Sequence, residues 1–230
     1  MREIAFDTET TGFDFDKGDR IVEIGCVELH NHVPTGRTLR KLINPERAMG
    51  EGATKVTGIT DEMLAEKPLF AEIADELMEF FGDAVIVAHN AKFDRGFLNM
   101  ELARLGLDIV PEERWVDTVA LAKARYPGAP ASLDALCKRF NISLEARTLH
   151  GALLDAQLLA DVYLELRGGR ARAFSFDATE DGEEGARRKP ARQRPSPLTP
   201  PLSEAEREAH RAFIETLGGE NGPIWLQKAG

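Results

Sequence analysis

The stretch Ala84-Val85-Ile86-Val87-Ala88 is a continuous apolar run of strand length. A run without polar alternation is typical of a parallel strand that is buried on both faces, and such strands need helices to cover them. Apolar residues recur at helical spacing before the run, in residues 68–81 with Pro68 in the first helical position, and a second helix is predicted after it in residues 93–105. The stretch therefore predicts a sheet whose inner strands are flanked by helices.

The elements around this strand alternate in type. Three strand-like segments precede it, and three further helical segments follow. The strands are predicted at residues 3–7, 21–29 and 38–43, and the helices at residues 118–125, 133–140 and 151–166. Strands followed by helices around another strand indicate an α/β fold with a mixed β-sheet flanked by helices, which we place in residues 1–167.

The composition of the chain changes after Leu166. Residues 168–202 contain an acidic run, a basic run and a Pro/Ser/Thr stretch, so we predict a disordered linker. A helix is predicted at residues 203–217, where Ser203 and Glu206 form a capping box. With the apolar cluster at residues 224–226, which includes Trp225, this helix has no core of its own. We therefore interpret residues 203–230 as a flexibly tethered segment that docks on a partner.

Charge and cysteine usage limit the classes of function. The net charge of −10 lies within the first 167 residues, so binding of nucleic acid by bulk electrostatics is disfavoured unless divalent cations offset phosphate repulsion.

Cys26 and Cys137 lie in apolar segments without CxxC spacing and are predicted to be buried free thiols. With no leader pattern and no membrane-length apolar stretch, we expect a cytoplasmic protein.

Two acidic segments lie where predicted strands end. Asp7 and Glu9 are two residues apart, so on a strand their carboxylates share one face, which is costly unless a cation lies between them. Asp94 follows the apolar strand, at the carboxyl end where open α/β sheets place their sites. Taken alone, each segment has another interpretation: Asp7 and Glu9 as turn acids facing solvent, Asp94 as a helix cap, and His89 as a structural histidine.

His150 and Asp155 have the most informative spacing. Five residues on an ideal helix correspond to a rotation of about 140°, so both side chains cannot share one helical face. If they serve one site, His150 must lie just before the helix or in its frayed first turn, with Asp155 inside the helix.

Taken together, four carboxylates and one histidine from separate elements resemble the DEDDh branch of the DnaQ-like 3′–5′ exonucleases, and within it the proofreading subunits of bacterial DNA polymerase III. The resemblance covers residues 1–167. The matching segments are FDTETTG at residues 6–12, VEIG at 22–25, VTGIT at 56–60, AHNAKFD at 88–94, SLDALC at 132–137 and TLHGALLDA at 148–156.

The resemblance implies a ribonuclease H-like fold and a site that removes mispaired 3′-terminal nucleotides from DNA as nucleoside monophosphates. His150 would be the general base. Two Mg²⁺ or Mn²⁺ ions, bridged by Asp7, would be held by Asp7, Glu9, Asp94 and Asp155. The residues implied in substrate binding are Asp7, Thr8, Glu9, Thr57, Gly58, Ile59, Asn90, Phe93 and Asp155, with residues 56–60 as a loop that lines the terminal-nucleotide pocket.

The resemblance also implies partners. The tail would dock on the catalytic (alpha) subunit of the polymerase, so that the chain would share the holoenzyme's classification as a DNA-directed DNA polymerase and nucleotidyltransferase. A small theta-like subunit is a further candidate partner. Binding to the sliding clamp is left open, because residues 170–174 lack the glutamine with which the family's clamp-binding segment begins. An RNA-trimming exoribonuclease and an inactive replisome scaffold are the alternative functions.

Overall fold

A computed structural model describes residues 1–145, 149–169 and 203–216. The strands are β1 (Arg2–Thr10), β2 (Ile21–His30), β3 (Val33–Leu42), β4 (Val85–Ala88) and β5 (Trp115–Asp117). The helices are α1 (Glu51–Thr57), α2 (Asp61–Leu64), α3 (Phe70–Phe81), α4 (Ala91–Arg104), α5 (Thr118–Arg125), α6 (Leu133–Arg139), α7 (Ala152–Leu166) and α8 (Glu204–Thr216).

The five described strands form one mixed sheet in the order β3-β2-β1-β4-β5. β2 pairs antiparallel with both β1 and β3, whereas β4 is parallel to both β1 and β5. The fold class predicted from the sequence is confirmed, and the buried run that predicted it forms β4 next to the central strand. β1 is thus the strand on which both halves of the sheet meet.

Helices cover both faces of the sheet, and the side chains of β1 alternate between them. Ile4 and Phe6 pack in a core with α3 and α4, while Ala5 packs in a second core with α5, α6 and α7. The same alternation directs Thr8 toward the α4 side and directs Asp7 and Glu9 toward the α7 side. Thr8 therefore faces α4, whereas Asp7 and Glu9 face α7.

Most predicted elements are confirmed, with three differences. α1, α2 and β5 were not predicted, because α2 and β5 have only four and three residues and α1 buries only Thr57, so none of them shows an apolar periodicity. Consequently residues 56–60 are not simply a loop: Val56 and Thr57 end α1, and Gly58 terminates it in the left-handed conformation. Pro68 does not occupy the first helical position of α3, whose N-cap is Leu69.

Both cysteines are buried free thiols, as predicted. Within the described part of the chain, no helix is both long enough and apolar enough to cross a bilayer. The chain divides into two compact units, residues 1–175 and 176–230.

Helix α8 belongs to the second unit and begins with the capping box that was predicted. The Ser203 hydroxyl accepts a hydrogen bond from the Glu206 amide at 3.3 Å, and the Glu206 carboxylate accepts one from the Ser203 amide at 2.8 Å. Phe213 on this helix is exposed. The predicted linker beyond residue 169 and the predicted apolar cluster around Trp225 lie outside the described residues.

Candidate active site at the end of strand β1

Three consecutive residues near the end of β1 carry the first part of the site. Asp7 and Glu9 are half-buried, and Thr8 between them is buried. Asp7 pairs with Gly25 of β2 and Glu9 pairs with Glu23. Because β1 is central, its end is enclosed by neighbouring elements on both sides, so the two carboxylates are not the solvent-facing turn acids of the alternative interpretation.

The start of α7 carries the second part. Gly151 is the N-cap of this helix in an extended conformation, so His150 lies just before the helix and Asp155 lies in its first turn. His150 Nδ1 is 3.1 Å from Asp155 Oδ2. The Asp155 side chain is buried, whereas 47% of the surface of the His150 side chain remains exposed. The geometry deduced from the five-residue spacing is confirmed.

Glu9, His150 and Asp155 come together as a group of possible metal ligands. One ligand atom from each lies within 4.8 Å of the other two. Carboxylate oxygens with one imidazole nitrogen suit a divalent cation, so the chemistry of this donor set fits the metal dependence that the sequence predicted. Among the residues described, Asp7 and Asp94 are not in this group.

Asp94 lies in the first turn of α4, on the side of β1 to which Thr8 points. The Thr8 hydroxyl donates a hydrogen bond of 2.7 Å to Asp94 Oδ1. The Asp94 carboxyl is 3% exposed, and this burial raises its pKa to about 7, against the opposing effect of the Thr8 hydrogen bond. A buried carboxylate of this kind is stabilised in its charged form by a nearby cation, which makes Asp94 compatible with a metal-binding role.

Asn90 and His89 have structural contacts. Asn90 is the N-cap of α4 in the left-handed conformation, and its backbone N–H donates a hydrogen bond of 3.0 Å to the Asp117 carboxylate. His89 Nδ1 is 2.9 Å from the Thr118 hydroxyl, and burial lowers the pKa of the His89 imidazole. The structural interpretation of His89 is therefore the one that its contacts favour.

A cavity of about 240 Å³ opens beside the group of ligands. Its lining includes Thr8, Glu9, Thr57 and Phe93 from the predicted substrate-binding set, as well as His150. The residues of that set that do not line the cavity are Asp7, Gly58, Ile59, Asn90 and Asp155. Ile59 is buried in a small apolar cluster with Val22 and Leu64.

Phe13, which was not predicted as a site residue, also lines this cavity. Phe13 follows the turn at Gly12, and 88% of its surface is exposed. A large apolar side chain directly after an acidic strand end and a glycine was the available signal. It could not be separated from an ordinary loop residue without knowing that α1 faces it, with Gly52 and Ala53, across the cavity.

Comparison with known proteins places this geometry in a family. Residues 4–163 match the family model described as an exonuclease of the RNase_T type. A DNA polymerase III subunit epsilon of Rickettsia felis is 49% identical over 179 residues, which are 76% of this chain and 78% of that protein. A protein of the same name from Haemophilus influenzae is 39% identical over 100% of this chain and 96% of its own length.

Solved structures show the same fold. Exonuclease X in complex with 5′ overhanging duplex DNA matches 72% of this chain and 89% of its own with a TM-score of 0.56 and 32% identity. The nuclease domain of 3′hExo, a DEDDh family member bound to rAMP, matches 74% of this chain and 94% of its own with a TM-score of 0.62 at 17% identity.

Proposed function

The chain belongs to the RNase_T-type exonuclease family, and on this premise we propose that it is a 3′–5′ proofreading exonuclease, the epsilon subunit of a bacterial DNA polymerase III. The observation that carries the proposal is the meeting of Glu9, Asp155 and His150 beside a cavity at the end of the central strand. Relatives with that name match this chain at 38–50% identity, in one case along its whole length.

The enzyme depends on a divalent metal, as its family implies and its donor set allows. We propose two ions, Mg²⁺ or Mn²⁺, which Asp7, Glu9, Asp94 and Asp155 would hold. When bound, such ions supply positive charge for the oxygens that enter and leave during in-line attack on phosphorus. In this arrangement β1 provides two ligands on one face, while α4 and α7 each add one carboxylate.

His150 is proposed as the general base that takes a proton from the attacking water. Its Nδ1 faces Asp155 Oδ2 at 3.1 Å, so a hydrogen donated by Nδ1 orients the ring and leaves Nε2 as the nitrogen that accepts the proton. Because the ring is half-exposed just before α7, the base can reach a water at the cavity mouth without being buried itself.

The cavity is proposed to hold the terminal nucleotide. Phe93 and Phe13 offer ring faces on which a base can stack. Stacking does not depend on which base is present, because every base has a π-face. Thr57 and Thr8 use their hydroxyls within the protein, toward Ala53 O and Asp94 Oδ1 respectively, so they shape the cavity wall. We keep Gly58, Ile59 and Asn90 as proposed substrate-binding residues on the resemblance alone.

Association with polymerase III follows from the relatives, and the individual contacts are proposals. We propose that residues 203–230, including α8, dock on the alpha subunit, which supplies the polymerase chemistry of the assembly. A small theta-like subunit is a second proposed partner, and the sliding clamp is left open. The replisome of a bacterium lies in the cytoplasm, where we propose that this chain acts. The polymerase relatives favour DNA over RNA as the substrate.

Digestion of a 5′-labelled DNA primer with a mispaired 3′ end tests the function. We expect stepwise shortening in Mg²⁺ or Mn²⁺, none in EDTA, and slower removal of a correctly paired end, because a mismatched terminus frays more easily. An RNA primer of the same sequence is the matched control. Preferential digestion of the RNA, or cleavage that persists in EDTA, would overturn the proposal.

A further inference from the structure

The start of α7 rests directly on the backbone of β2. A Cβ atom placed on Gly25 would lie 2.1 Å from the carbonyl carbon of Ala152 and 2.3 Å from the amide nitrogen of Leu153. Both are backbone atoms, which cannot rotate away as a flexible side chain could. Since Gly25 pairs with Asp7 across the sheet, this close approach brings the first turn of α7 next to the acidic end of β1.

Glu23, two residues earlier on β2, holds the same helix end by a hydrogen bond. Its carboxylate Oε2 accepts from the Ala152 amide at 3.0 Å. That amide is among the first of the helix, which have no partner within it, and a negative charge there is favoured by the helix dipole. Glu23 is only 1% exposed, and its Oε1 accepts from Arg40 Nε at 2.5 Å, so Arg40 balances the buried charge.

We infer that Glu23 and Gly25 are positioning residues for the exonuclease reaction, since together they fix where α7 begins and thereby set His150 and Asp155 against Glu9. The inference rests on the proposed function of His150 and Asp155. A shift of one ångström in reacting groups costs on the order of 10²-fold in rate. The absence of a Cβ on Gly25 lets the start of α7 approach β2 closely, and the Glu23 carboxylate holds it there, so losing either feature should lower the rate of cleavage.

The other end of α7 provides an internal comparison. There the Tyr163 hydroxyl donates to Glu3 Oε1 at 2.7 Å, and both groups are buried. This contact anchors the same helix to the same sheet through a carboxylate. It lies two turns beyond Asp155 along the helix, however, so its loss should loosen the fold without moving the proposed catalytic groups.

Three variants of the full chain separate positioning from mere stabilisation. Glu23→Ala removes the acceptor, Glu23→Gln keeps an oxygen for the Ala152 amide but loses the charge, and Tyr163→Phe is the matched control at the other helix end. We expect Glu23→Ala to lower kcat about 10- to 100-fold on the mispaired primer with little change in KM. Glu23→Gln should recover part of the loss, and Tyr163→Phe should keep kcat even where its Tm falls.

Hydrogen exchange without metal gives a second readout that does not depend on activity. In EDTA, amides in the first turn of α7 should exchange about tenfold faster in Glu23→Ala than in the wild type. The exchange rates of the same amides in Tyr163→Phe should equal those of the wild type. Gly25→Ala should show the same local change if it folds. Equal kcat and equal exchange for Glu23→Ala and wild type would overturn the positioning role, whereas a wild type without metal-dependent cleavage would overturn the proposed function instead.

Discussion

Replacing Asp94 by asparagine should stabilise the metal-free protein at pH 8, although the residue belongs to the proposed active site. Burial raises the pKa of the Asp94 carboxyl from 3.8 to about 7. The unfolded chain therefore releases this proton near pH 4 while the folded protein retains it to about pH 7, so the free energy of unfolding falls as the pH rises through that interval. Above pH 7 the full difference corresponds to at most about 4 kcal/mol.

Asparagine keeps the oxygen that accepts the Thr8 hydrogen bond and carries no titrating proton, so D94N removes this pH dependence with little change of shape. Between pH 5 and pH 8 the wild type should lose about 2–3 kcal/mol relative to the variant. Urea denaturation of both proteins in EDTA at the two pH values measures the loss. Adding Mg²⁺ at pH 8 should then stabilise the wild type more than D94N. Parallel stabilities over this pH range would refute the account of Asp94 as a carboxyl group whose pKa is raised by burial.

The other predictions concern the remaining groups and the tail. Asp155→Ala should abolish cleavage while leaving the metal-free domain folded, because it removes one acid from a crowded cluster; activity at saturating Mg²⁺ would contradict its role as a ligand. His150→Gln should retain metal affinity, measured by Mn²⁺ titration, but lose on the order of 10²–10⁴-fold in kcat, and an undiminished kcat would leave His150 structural. Cutting after Arg167 should leave a folded, active nuclease that no longer binds the alpha subunit; a large fall in Tm with binding retained in a pull-down would show the reverse.

The parts of the fold that the sequence revealed are those in which periodicity is long or burial is complete. Residues 84–88 predicted β4, because a strand covered on both faces has no alternation of polar and apolar residues. The entry into α7 was deducible because the spacing of His150 and Asp155 is incompatible with one helical face. In both cases local geometry limits the chain to one arrangement.

What the sequence concealed depends on contacts between distant segments. Phe13 becomes a cavity residue only because α1 lies across from it, and α1 has no buried apolar face from which it could be predicted. The roles of Glu23 and Gly25 could not be predicted, since the Ala152 backbone that both contact lies more than a hundred residues further along the chain. No periodicity within one element carries information about such a contact, because it is set by how α7 packs on the sheet.

The acidity of the nuclease domain and its dependence on a divalent metal have one physical origin. The net charge of −10 within the first 167 residues opposes a phosphate backbone, so bulk attraction cannot bring DNA to the site. Carboxylates from β1, α4 and α7 concentrate this repulsion around the end of β1, and the raised pKa of Asp94 reflects the cost of burying a charge there. A divalent cation held by these carboxylates would offset that cost and would supply positive charge for the scissile phosphate. The proposed tethering to a polymerase would then supply the proximity that long-range electrostatics does not.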